Sequence, residues 1–107
     1  MAKIGVCLSG CGVNDGAEIH ESVITALTLD KAGAEILFTA PNMEQAKVVN
    51  HLTGDEMGER RNVLVESARI ARGNIIDLAE LTNFILLHQD IFLPNRYFSL
   101  GLHIWFA

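Results

Sequence analysis

Glu21, Cys11 and Cys7 are the side chains near the start of this 107-residue chain that could act as an acid or a nucleophile, and glycines are interleaved with them. Gly10-Cys-Gly12-Val-Asn-Asp-Gly16 turns sharply, and its backbone can approach a ligand closely. Gly10, Cys11 and Gly12 therefore read either as a loop lining a small-molecule or oxyanion site or as a tight turn with no ligand. Cys11 lies ahead of a helix N-terminus, where a thiolate is favoured; in a purely structural role it is a small buried residue. Cys7 lies inside an apolar run and reads as core. Glu21 falls in the first turns of the helix. There it could handle a proton at a crevice, or simply answer the positive end of the helix dipole. His20 and His51 have no partner at nucleophile or metal spacing and read as loop or surface hydrogen-bonders. Arg60-Arg61 reads as a solvated helix face.

The elements that must position these groups follow from the pattern. Lys3 to Ser9 is apolar without alternation, as expected of a parallel strand covered on both faces. Asp15 and Glu18 have capping-box spacing, which predicts a helix over Ala17–Ala32 with Ile19, Val23, Ala26 and Leu27 facing inward and Gly33 as its stop. Ala34–Ala40 is a second strand ended by Pro41, and a right-handed crossover makes the two strands parallel. Asn42–Asn50 is expected to form a short helix, and His51–Asp55 a loop. A longer helix is expected from Glu56 or Glu59 to Arg72, with Leu64, Ala68 and Ala71 inside and Glu66, Arg69 and Arg72 outside. Asn74–Leu81 reads as a short strand and a turn. Phe84–Leu87 reads as a further strand. Strand, glycine turn and helix N-terminus together place a small-molecule site at the carboxyl end of the first strand.

Composition bounds the function. The length suits one domain, and the net charge of −5 argues against a nucleic-acid surface. No apolar run reaches membrane-spanning length, and no cationic leader precedes an apolar run. Two reduced cysteines fit a cytoplasmic location. The glycine spacing is GxGxxxG, and Phe38-Thr39-Ala40 offers no acid for a ribose, so a dinucleotide site is not expected. Nor is any metal or other cofactor. Nineteen of the 21 charged residues lie in 1–82, whereas 83–107 holds two charges and six of the seven aromatics. The sequence therefore divides into a first unit, 1–82, and a divergent hydrophobic tail, 83–107, from which self-association is expected.

Lys3-Ile-Gly-Val-Cys-Leu-Ser-Gly-Cys-Gly-Val-Asn-Asp-Gly-Ala-Glu-Ile-His-Glu21, Val49-Asn-His-Leu-Thr-Gly54 and Arg61-Asn-Val-Leu-Val-Glu-Ser-Ala-Arg-Ile-Ala-Arg-Gly73 resemble the ElbB-type (enhancing lycopene biosynthesis, or isoprenoid biosynthesis) proteins. These belong to the class I glutamine amidotransferase-like superfamily, with the PfpI-type proteases. The resemblance is dense from Lys3 to about Leu81. It implies an α/β fold, the N-terminal part of a flavodoxin-like three-layer sandwich with a parallel sheet, incomplete here. It also implies a glyoxalase-like activity, turning small dicarbonyls into hydroxy acids without metal or organic cofactor. In that superfamily a glutamate at the start of the first helix hydrogen-bonds a nucleophilic cysteine, and Glu21 is the matching position. The family's Pro-Gly-Gly-Phe-Gly turn and cysteine elbow are not found in these 107 residues. The expectation is thus a truncated or frame-shifted member, inactive as it stands. A non-catalytic binding module using the glycine loop or the tail is the alternative.

Overall fold

The computed structural model describes residues 3–80, 97–99 and 102–106. Strand β1 (Lys3–Cys7) pairs in parallel with β2 (Glu35–Ala40), in the register Lys3↔Glu35 to Cys7↔Thr39. Helix α1 (Ile19–Lys31) connects them, so the expected βαβ unit is present. Helix α2 (Val63–Ala71) leads to β3 (Ile76–Asp77), which joins β2 in parallel. Strands β4 (Tyr97–Ser99) and β5 (Leu102–Phe106) form an antiparallel pair, and β5 lies antiparallel to β1. The sheet order is β3-β2-β1-β5-β4. Three parallel strands with helices make this an α/β fold of the flavodoxin type, in part. The antiparallel strands within 83–107 were not expected from the sequence. The strand expected at Phe84–Leu87 lies outside the described residues.

The core forms on the face of β1 that carries Ile4 and Val6. Ile4, Val6, Leu8 and Ala17 are buried, with Leu29, Ile36, Phe38, Ile70 and Ile75 packed against them. Burying each large aliphatic side chain stabilises the fold by about 1.5–3 kcal/mol.

Several expectations need correction. Glu18, not Asp15, caps α1: its carboxylate accepts from the His20 amide at 3.2 Å and the Glu21 amide at 2.7 Å. The inward face of α1 is also different. Ser22 is fully buried and Thr25, Ala26 and Leu29 are half-buried, while Ile19, Val23 and Leu27 face outward. The helix is apolar on two sides, so helical spacing alone picks out both stripes. In α2 the reverse happens to a charge. Glu66 turns inward, and its Oε2 accepts from Arg69 Nε at 2.7 Å, while Leu64 is only half-buried.

The segment 42–62 is not helical. Its amides bond across to the opposite limb of the same segment: Gln45 to the Arg61 carbonyl, Met57 to that of Val48. Bridges Glu44↔Asn62 and Val49↔Glu56 mark the same doubling back. Helix α2 therefore starts only at Val63, where the Asn62 side chain accepts from the Val65 amide at 3.0 Å. It ends on Arg72 in the left-handed region (φ 57°), a conformation that Gly73 then continues. No described helix is long and apolar enough to cross a membrane.

Candidate functional site

The glycine loop leaves the carboxyl end of β1 and crosses toward α1. The β1–β2 ladder runs one step past the strand, with the Leu8 amide on the Thr39 carbonyl at 2.8 Å. The loop is then held from two directions. The Gly10 amide donates to the buried Ser67 hydroxyl of α2 at 2.8 Å, and the Gly12 amide donates to the Ala17 carbonyl at 2.9 Å. Two of the three residues expected to supply oxyanion donors thus have their amides engaged within the protein. Gly16 shows why glycine is needed here: an added Cβ would lie 2.8 Å from the Cys11 nitrogen and 2.9 Å from the Ser9 oxygen.

A second set of contacts ties the loop to segment 42–62. Asp15 Oδ2 accepts from the Val49 amide at 2.8 Å. His51 Nε2 accepts from the Asn14 amide at 3.2 Å, while its Nδ1 lies 3.1 Å from the Val49 carbonyl. This pattern assigns the neutral ring with the proton on Nδ1, donating to Val49. His51 is the loop hydrogen-bonder expected of it. Sequence reasoning did not single out Ser67. A small polar residue on the apolar side of a helix was the available signal, but its partner lies 57 positions away.

Cys11 lines a shallow cavity of about 250 Å³ with Glu18, His20 and His51. Its thiol is pushed up from the ordinary value, first by burial and then by the nearby Glu66 and Asp15 carboxylates; Arg69 opposes this. The helix N-terminus that was expected to favour a thiolate starts at Ile19, eight positions later in the sequence, and Cys11 is held as the thiol. Burial pushes the Cys7 thiol up to about 11. His20 is exposed beside Glu18. Arg60 and Arg61 are exposed and paired with Glu44 and Glu59, in the loop rather than on a helix.

Glu21 is half-buried in the first turn of α1, and its Oε1 is buried with no hydrogen-bond partner among the described residues. A carboxylate oxygen withdrawn from water without a donor is costly, and a catalytic role is one of the explanations such a group can have. It lines neither the Cys11 cavity nor a second one beyond the loop. Among the described residues, no group of three or more His, Cys, Asp or Glu side chains is placed to hold a metal ion.

No family model matches the chain. It is 51% identical over 82 residues to the human (Homo sapiens) glutamine amidotransferase-like class 1 domain-containing protein 3, mitochondrial, covering 76% of this chain and 31% of that protein. It is 49% identical over 82 residues to the ES1 protein homolog, mitochondrial, of Rattus norvegicus, with the same coverage. A crystal structure from Ehrlichia chaffeensis, an isoprenoid biosynthesis protein with amidotransferase-like domain, superposes with a TM-score of 0.67 at 49% identity. That match covers 68% of this chain and 34% of the other. The chain thus spans about a third of the length of the relatives it matches.

Fold and sequence together define a protein of the class I glutamine amidotransferase-like type. Within that class the chain belongs with the ElbB-type isoprenoid biosynthesis proteins, as its N-terminal strings imply. The cytoplasmic location expected from composition is overturned, because the matched relatives in human, rat and zebrafish (Danio rerio) are all named mitochondrial. Two reduced cysteines and an acidic composition fit either compartment.

Proposed function

We propose that Glu21 is the proton-handling acid of a glyoxalase-like site for small dicarbonyls, and that this chain carries the acid without the thiol that would complete it. The Oε1 of Glu21, buried and without a partner among the described residues, supports the reading: a desolvated carboxylate oxygen suits proton handling. In such a site a cysteine thiolate adds to the aldehyde carbon, and the carboxylate takes and returns the proton. Cys7 and Cys11 lie in β1 and the loop after it, and on this reading neither stands for that thiol; burial pushes both thiols up. The chain should consume no methylglyoxal above a heat-killed control. In an intact protein bearing this N-terminal part, Glu21→Gln should lower turnover by roughly two to four orders of magnitude. Turnover by the chain that vanishes in Cys11→Ala would assign the nucleophile to Cys11. An unchanged rate in Glu21→Gln would remove the acid from the reaction.

A second reading, a non-catalytic binding or interaction module, draws on the engaged amides of Gly10 and Gly12 and on the outward apolar residues Ile19, Val23 and Leu27. On this reading the hydrophobic residues of 83–107 drive self-association, although β4 and β5 within them join the sheet. Size-exclusion chromatography of the chain, with and without residues 88–107, tests it. A sharp monomer peak from the full chain would sink it.

A further inference from the structure

Beyond the glycine loop, on the side away from Cys11, a second cavity of about 350 Å³ lies at the carboxyl ends of β1 and β2. Its size falls at the lower end for small-molecule sites, and its place is where open α/β sheets bind ligands. Val13, Pro41, Met43 and Val63 supply an apolar wall; the polar lining includes Asn14, Lys47 and the carboxylates Asp15 and Glu44. Val13 and Met43 are half or more exposed, unlike the buried valines of the core.

The charges around this cavity can be accounted for one at a time. Glu44 at the rim is paired with Arg60 at 3.4 Å. Asp15 is largely buried and accepts from the Val49 amide. At the start of α2, the Val63 amide is engaged by the Met43 carbonyl and the Val65 amide by Asn62. Lys47 takes part in none of the described ion pairs. A cation that lines a cavity alongside a small apolar wall suits an anion with a short aliphatic body.

We propose that this cavity is a binding site for small aliphatic carboxylates, with the carboxylate on Lys47 and the hydrocarbon against Val13, Met43 and Val63. The site is independent of Glu21, which does not line it, so the failure of either proposal leaves the other standing.

The test is an amide-resolved NMR titration of the full 107-residue chain with isobutyrate, its uncharged isostere isobutyramide, and formate. Isobutyrate should give saturable shifts at the amides of Val13, Asn14, Lys47 and Val63. Isobutyramide, which lacks the charge, and formate, which lacks the aliphatic body, should each bind at least tenfold more weakly. Lys47→Met keeps most of the stem and should weaken isobutyrate at least tenfold. The proposal is overturned if those amides do not shift, if Lys47→Met binds isobutyrate as well as the parent chain does, or if either comparison ligand matches isobutyrate.

Discussion

The Gly10 amide donates to the Ser67 hydroxyl at 2.8 Å, joining the loop after β1 to the middle of α2 across 57 positions of sequence. Ser67 is fully buried, so no water can replace the hydroxyl if it is removed. Ser67→Ala should therefore cost the penalty of a buried orphan donor, about 1–3 kcal/mol. Urea unfolding measures this directly. A loss within about 0.5 kcal/mol, the usual range for unimportant surface changes, would show that the loop is held by its other contacts.

Glu21 makes the opposite case. Its buried Oε1 has no donor among the described residues, so an apolar residue of similar length should fit better than the acid. Glu21→Met should stabilise the chain by up to about 1–3 kcal/mol, the cost of an unsatisfied buried polar group. Losing a first-turn acid takes back about 0.3–1 kcal/mol. The unfolding midpoint should therefore rise. A midpoint that stays put or falls would return Glu21 to a purely electrostatic role at the helix end.

The two thiols should be slow at neutral pH. Cys7, with its thiol pushed up to about 11, has almost no thiolate at pH 7. Cys11 is raised as well, but it lines an open cavity. A disulfide reagent should therefore label Cys11 faster than Cys7, with each rate rising about tenfold per pH unit below that thiol's own value. Arg69 lowers the Cys11 value, so Arg69→Met should slow labelling further. Fast labelling of Cys11 at pH 7 would contradict the environment described.

Glu18 gives a pH dependence with a definite sign. Its carboxylate is held below the usual range, first by the Glu21 amide and then by that of His20. A depressed folded-state value means the cap's contribution is present above the ordinary glutamate range, about 4.3, and is lost as pH falls through the lower folded value. The protection of the His20 and Glu21 amides, measured against the intrinsic exchange rate at each pH, should fall on acidification in the parent chain. In Glu18→Gln the same amides should exchange faster at neutral pH and show a smaller further change. Identical profiles in both proteins would remove the carboxylate from the cap.

How legible this was depended on the range of each interaction. Ile4 to Leu8 is an uninterrupted apolar run, and Ile4, Val6 and Leu8, which share one face of the strand, are buried in the core as that run implies. Gly33 and Gly73, both at positive φ, follow α1 and α2 as their sequence positions suggest. The α1 face was misread because Ile19-Val23-Leu27 and Ser22-Ala26-Leu29 both keep helical spacing. Only contact with the sheet chooses between them. The loop expected at His51–Asp55 is present, but the helix expected over Asn42–Asn50 and the early start expected for α2 are not, because a local pattern that favours a helix is overridden where the amides find partners across the doubled-back segment. At the site, Glu21 stood out by type and place. Ser67, Asp15 and His51 act through partners tens of residues away, which no local pattern encodes.

The reversed direction of β5 bears on how other strands can join this sheet. A doubly wound parallel sheet places a further parallel strand on the side of β1 away from β2. Here that rank is filled by β5, matched residue for residue from Ile4↔Phe106 to Cys7↔His103. Each backbone group on that edge of β1 can serve only one neighbour. A parallel strand arriving there would have to displace β5, and β4 with it, before it could dock. The hairpin therefore acts as a competitive plug: assembly at this edge becomes an exchange of strands, with the rate set by peeling the plug away.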